Sequence, residues 1–165
     1  MQFRVVIAIG VLIIAGLVGV AVIGSSLTPQ DTNPAYTTAV NFVNDAGHGD
    51  DPDALALLDS TMKAYVAAHC PNGSPSACVQ SYTPAEWGKL DDAEFRRAAP
   101  SGQAWDVEII AKYDQGIGAS GVCSLIHVVP NGANWLVAGW AGFVHCGDPG
   151  SRDMATNPDT PNRVP

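Results

Sequence analysis

Charge is what the first part of this sequence lacks. After Arg4 there is no charged residue until Asp31, and no further Lys or Arg until Lys63. Cysteine is missing from the same stretch; the first is Cys70, so no lipid-bearing cysteine follows the apolar run, which excludes a lipoprotein. Basic residues are scarce throughout, eight Lys and Arg against sixteen Asp and Glu. No basic stripe and no basic–aromatic interleaving is present, and an acidic domain repels nucleic acid and anionic headgroups; nucleic-acid binding is excluded. There is no G-x-S-x-G and no standout Ser/His/Asp grouping for serine-based catalysis. The loop "GIGASG" (116–121) leads into a strand pattern, whereas a phosphate-binding loop opens a helix.

What is there begins with Val5–Gly24, 20 consecutive apolar or glycine residues, close to the ~20 a helix needs to cross a bilayer. The run is longer than the ~7–15 residues of a cleaved signal's apolar core. The expectation is a retained single-pass anchor at 1–24. Arg4 and the amino terminus lie before the span, which places the N-terminus in the cytoplasm and the following domain on the extracytoplasmic side of the cell membrane. Ala8, Ala15 and Gly19 fall near one helix face, and Ala15-xxx-Gly19 is a small-xxx-small pair that would admit a second membrane helix. Glycine and alanine are also simply common in membrane helices. Residues 25–33 read as a linker, 34–148 as one acidic domain, and 149–165, with four prolines and little apolar content, as a flexible tail.

Four cysteines, all beyond the apolar run, suit disulfides in an oxidising compartment. "CPNGSPSAC" pairs Cys70 with Cys78 across a Pro/Gly/Ser loop, leaving Cys123 with Cys146, although four cysteines allow three connectivities. The second pair has a register problem. A tight turn at "PNGAN" sets Cys123 opposite roughly Trp140, and a bulge near Gly139 or Gly142, or a back-curl at "HCGDPG", is needed to shorten the gap. Zinc is the rival for Cys123, His127, His145 and Cys146. Their spacings are not those of a structural zinc site, and adjacent strand residues such as His145 and Cys146 point to opposite faces. No metal and no cofactor is expected.

Three segments announce helices with a capping residue before proline: Asn33-Pro34, Asp51-Pro52 and Thr83-Pro84, the last with Glu86 completing a capping box. The first helix sets Tyr36, Ala39, Val40 and Val43 on one face and stops at Gly47. The second carries Leu55, Leu58, Met62, Tyr65, Val66 and His69 at three- and four-residue steps, and "CPNGSPSAC" ends it. "TPAEWGKLDDAEFRRAA" (83–99) reads as one or two short helices closed by Pro100. From Trp105 the period becomes two: "WDVEIIAKY", "VCSLIHVV" and "WLVAGWAGFVHC" are antiparallel strands joined by short turns. The fold class is α+β, two or three helices packed on a curved antiparallel sheet behind a transmembrane helix.

The segments "AVNFVNDAGHGDDPDALALLD" (39–59), a helix ending in a glycine–aspartate turn before a second helix, and "NWLVAGWAGFV" (134–144), a long last strand, carry a resemblance. The chain resembles the nuclear transport factor 2-like family over about 33–148. The resemblance implies a cone in which helices pack on a strongly bent sheet and enclose a pocket. That family carries an early strand between helices and sheet, and the pattern here shows no clear one. It includes isomerases and dehydratases with an acid/base Asp or His inside the cone, and many non-catalytic binding and assembly domains, so fold alone names no activity.

His127 interrupts an apolar strand and is the leading pocket candidate, with Tyr65, Trp105 and Trp140 beside it as aromatic lining. A histidine there also serves as an ordinary core residue with one hydrogen bond. "GHGDD" gathers His48, Asp50 and Asp51, and the turn glycines with Asp51 as a helix cap account for it. Asp106, Glu108 and Lys112 share a strand face that reads as solvated. With no catalytic constellation, the expected role is non-enzymatic: an accessory or assembly subunit, or interaction module, of a membrane complex, with other membrane subunits as partners. The alternatives are a binder of a small apolar ligand inside the cone, and a cone-fold enzyme moving protons with His127 or Asp50/Asp51.

Overall fold

A computed structural model describes residues 32–115 and 122–145, with side chains given as far as Ala141. Within them lie four α-helices and one four-stranded antiparallel sheet, an α+β arrangement. The anchor residues Ala8, Ala15 and Gly19, the linker as far as residue 31 and the tail lie outside the described residues. Among those described, no helix is long and apolar enough to cross a membrane.

The first helix, α1 (Pro34–His48), starts as its sequence dictates: Asn33 caps it by accepting from the Ala35 amide at 3.0 Å, with Pro34 in the first turn. It ends one residue beyond Gly47, at His48, and is capped by Gly49, whose φ of 89° is the left-handed conformation that glycine adopts at no steric cost. Buried Ala35, Ala39, Phe42 and Ala46 recur at helical spacing and let α1 lie against all four strands.

The expected second helix is divided. α2 (Asp51–Ala56) and α3 (Ser60–His69) are separated where the backbone turns to another partner: Val137 donates to Leu57 O at 2.8 Å and accepts from the Asp59 amide at 2.9 Å. Leu58 thereby forms a parallel bridge to the last strand, and Asp59 caps α3 by accepting from the Met62 amide at 2.7 Å. The cysteine loop after α3 is itself half helical. α4 (Pro75–Tyr82) is capped by Ser74 and bonded back to α3 through Cys70–Cys78, whose Cα atoms are 4.9 Å apart. Asp51 does not cap its own helix; its carboxylate accepts from the Ser76 amide at 2.9 Å, so it caps α4 across the fold. The Thr83-Pro84 signal yields only a single 3₁₀ turn over Ala85–Trp87.

Residues expected to continue as helix form a strand instead, β1 (Leu90–Ser101), in the place where the sequence pattern showed no clear early strand. Its inward residues Leu90, Ala93 and Phe95 do not alternate strictly because register shifts fall between Leu90 and Asp92 and between Phe95 and Arg97. Those bulges break the two-residue period by which a strand is recognised. β2 (Ala104–Tyr113), β3 (Val122–Asn131) and β4 (Asn134–His145) follow in the order β1-β2-β3-β4. Two further register shifts, between Cys123 and Leu125 and between His127 and Val128, lie opposite the Gly139 and Gly142 regions of β4. They bring Val144 opposite Cys123, so Cys146 follows two residues along the chain rather than six. Cys123 is disulfide-bonded; Cys146 lies outside the described residues.

Candidate functional site

The sheet has two chemically different faces. On the helix side, Val107, Ile109, Ala111 and Tyr113 of β2 stand with Ile126 of β3 and Trp140 of β4 in the main core. Between this face, the C-terminal half of α1 and α4 is a cavity of about 320 Å³, at the lower end of the ~300–1,000 Å³ of small-molecule sites. Phe42 and Trp140, with ring centroids 5.1 Å apart, stand together in its wall. Ala46, Val79, Leu90, Ala111 and Ile126 supply most of the rest. Gly47 lets α1 pass close to β1, because a Cβ there would press on the Leu90 side chain. The exposed residues His48, Gly49, Gln80 and Lys89 form the rim.

Few polar groups reach the interior. Tyr113 is buried, its ring 5.2 Å from that of Trp87, and burial raises its phenol pKa while a hydrogen bond with Thr83 works the other way. Ser124, 9% exposed, is placed on the cavity side of β3 by its parity with Ile126. The Ser76 oxygen is buried beside the Asp51 carboxylate and helps lower the Asp51 pKa, yet it forms no well-aligned hydrogen bond. Around the rim the field is negative. Burial raises the pKa of Asp45, and the neighbouring Asp53 and Asp50 push it further up against the opposing effect of His48.

The opposite face carries ions. The Asp106–Glu108–Lys112 side of β2 is not solvated as expected, since Asp106 and Glu108 are both buried. Glu108, 3% exposed, receives Arg96 and Arg97, two adjacent arginines that the β1 bulge turns to the same side. Asp106 lies 2.6 Å from His127 Nδ1. Burial of a carboxylate is tolerable only with such partners, and cross-strand pairing supplies them here: Arg97 faces Glu108, and His127 faces Asp106.

The four pocket candidates are thus not gathered in one place. Trp140 lines the cavity. His127 is on the ionic face, bonded to Asp106. Tyr65 stacks on His69 at 4.5 Å along α3, and Trp105 meets Tyr36 edge-on at 5.4 Å toward the start of α1. His48 reaches the cavity rim, its Nε2 3.3 Å from Asp91 O, while Asp50 and Asp51 are not part of the lining. Among the described residues no group of three or more His, Cys, Asp or Glu side chains could hold a metal. Sequence reading passed over Tyr113 and Ser124. Ser124 was detectable as a polar residue sharing a strand face with Ile126, but the histidine beside it drew the attention.

Compared with protein-family models, with curated proteins and with solved structures, the chain matches none.

Proposed function

We propose that this chain is a membrane-tethered, extracytoplasmic binding domain of the nuclear transport factor 2-like kind that takes a small, largely apolar ligand into its cone. One observation carries the reading: a cavity of about 320 Å³ between α1, α4 and the sheet, walled by Phe42, Leu90, Ala111, Ile126 and Trp140. Close-packed interiors leave few voids larger than a water molecule, and apolar pockets with a few convergent polar groups are the usual form of a ligand site. Tethering rests on the apolar run Val5–Gly24. A proton-transfer role for His127 inside the cone is not adopted, because His127 and the cavity occupy opposite faces of the sheet.

The experiment is native mass spectrometry of the full chain, extracted from its membrane in copolymer discs without detergent. The wild type should carry a non-covalent mass that Ala111→Phe, which fills the cavity, does not. Absence of added mass from both proteins, or its retention by Ala111→Phe, contradicts the reading.

A second reading, an accessory subunit of a membrane complex, is favoured by the aromatic group at the start of α1. Tyr36 stacks on Phe95 at 4.8 Å and meets Trp105 at 5.4 Å, all three half-buried, where the chain arrives from the linker. Partly exposed aromatics are frequent anchors at interfaces. Co-purification of a partner at fixed stoichiometry, lost on Trp105→Ala, supports it; a chain that travels alone removes it.

A further inference from the structure

Ser124 is out of keeping with its surroundings. It is 9% exposed, stands on the cavity face of β3 between the positions of Val122 and Ile126, and is paired across the sheet with Ile109. Among the described residues no hydrogen bond from its hydroxyl is seen, and its oxygen is not one of the fully enclosed atoms left without a partner. A hydroxyl on an apolar wall is costly unless something meets it, and valine would fill the same place in a strand without that cost. Ser124 lines the cavity, so a molecule bound there can meet this hydroxyl.

The rest of the lining limits what can meet it. The interior around Ser124 is made by Ile126, Ala111, Trp140 and the neutral phenol of Tyr113, none of which carries charge. Lys89 and His48 are exposed at the rim, where water and salt screen their charge. Aspartates 45, 50 and 53 gather near the rim and Asp114 lies beside Gly88, so an anion is also disfavoured on entry. A cation reaching the interior would find no carboxylate there.

Building on the ligand-binding reading above, we infer that the cavity selects an uncharged apolar molecule bearing a hydroxyl or carbonyl group, and that Ser124 holds that group. The serine hydroxyl both donates and accepts, so it serves either head group, while the apolar wall takes the body of the ligand. Ser124 is then the residue that sets specificity.

The test is methyl NMR of the full chain in lipid nanodiscs, titrated with octan-1-ol, octanoate, octylammonium and 1-chlorooctane, and read at the Ala46, Ala111 and Ile126 methyls. Octan-1-ol should bind more tightly than the other three. Ser124→Ala should weaken octan-1-ol about five- to tenfold while leaving 1-chlorooctane within about twofold, the worth of one neutral hydrogen bond. Ser124→Thr, which keeps the hydroxyl in a β-branched side chain suited to a strand, should restore the preference. If 1-chlorooctane binds as well as octan-1-ol, or octanoate or octylammonium binds as tightly, or Ser124→Ala changes nothing, the inference is overturned and the apolar cavity stands. If no probe moves the cavity methyls, the ligand-binding reading itself fails.

Discussion

The Asn44 carboxamide binds both backbone groups of Ala93. The Ala93 amide donates to Asn44 Oδ1 at 2.9 Å, and Asn44 Nδ2 donates to Ala93 O at 3.1 Å. β1 is an edge strand, so its outward backbone groups lack a ladder partner. The carboxamide of α1 takes the part of a fifth strand at that point and pins the helix over the mouth of the cavity. Asn44→Ala leaves two half-buried backbone groups without partners and should cost about 1–3 kcal/mol, measured by denaturant unfolding. Asn44→Asp, which keeps the acceptor and loses the donor, should also destabilise.

The ionic face behaves asymmetrically. Glu108 is buried, whereas Arg96 and Arg97 are 28% and 40% exposed along their side chains. Removing both arginines strands a buried carboxylate, which typically costs about 3–5 kcal/mol. Removing the carboxylate leaves two partly exposed arginines whose stems can carry their charge to water, so Glu108→Gln should cost less than half as much. Comparing the unfolding free energies of Arg96→Ala/Arg97→Ala and Glu108→Gln checks the order; equal losses contradict it.

Cys70–Cys78 closes a short loop between the end of α3 and α4, with a sequence separation of 8. Chain-entropy reasoning assigns such a loop about 2–3 kcal/mol. Cys70→Ser/Cys78→Ser should lower stability by roughly that amount and loosen α4, which forms one side of the cavity. Hydrogen exchange should therefore accelerate in 75–82 before it does in β2.

Asp51 links two helices and sets an acid dependence. Burial acts to raise its pKa, but the Ser74 hydroxyl, the nearby Ser76 hydroxyl and the hydrogen bond from the Ser76 amide outweigh it, and the net shift is downward. A carboxylate whose folded pKa is depressed binds fewer protons folded than unfolded. Its contribution is therefore present above the ordinary carboxylate pKa of about 4 and is lost as pH falls through the lower folded value. Asp51→Asn should be less stable than the wild type at pH 7, by about 1 kcal/mol as for other lost caps. The gap should close as pH falls below about 4, and a gap that widens on acidification contradicts the assignment.

How much of this was legible depends on the kind of signal. The strands from Trp105 onward were read within one or two residues, because alternation in β2 is strict and the glycine turns mark the ends. α1 was equally plain, with Asn33-Pro34 to start it and glycines to stop it. β1 was hidden by its own bulges: with the period broken twice, Glu94, Phe95, Arg96 and Arg97 resemble a helix surface. The split of α2 from α3 was invisible for another reason, since the backbone of Leu57–Asp59 is claimed by Val137, 80 residues away in sequence from Leu57. Local propensity carries no information about so distant a partner. The cavity was hidden with β1 and α4, which supply part of its wall. Trp140 lines it. His127 is instead explained by Asp106 across the ladder, a pairing that depends on register.

The central claim is that the space between α1, α4 and the sheet accepts an apolar molecule. Its most direct measurement is a toluene titration of the full chain in lipid nanodiscs, read by methyl NMR. The account predicts saturable shifts at Ala46, Ala111 and Ile126, which line the cavity, with Leu125 and Ala141 on the opposite face unmoved. Shifts that do not saturate, or that appear equally at Leu125 and Ala141, would contradict it.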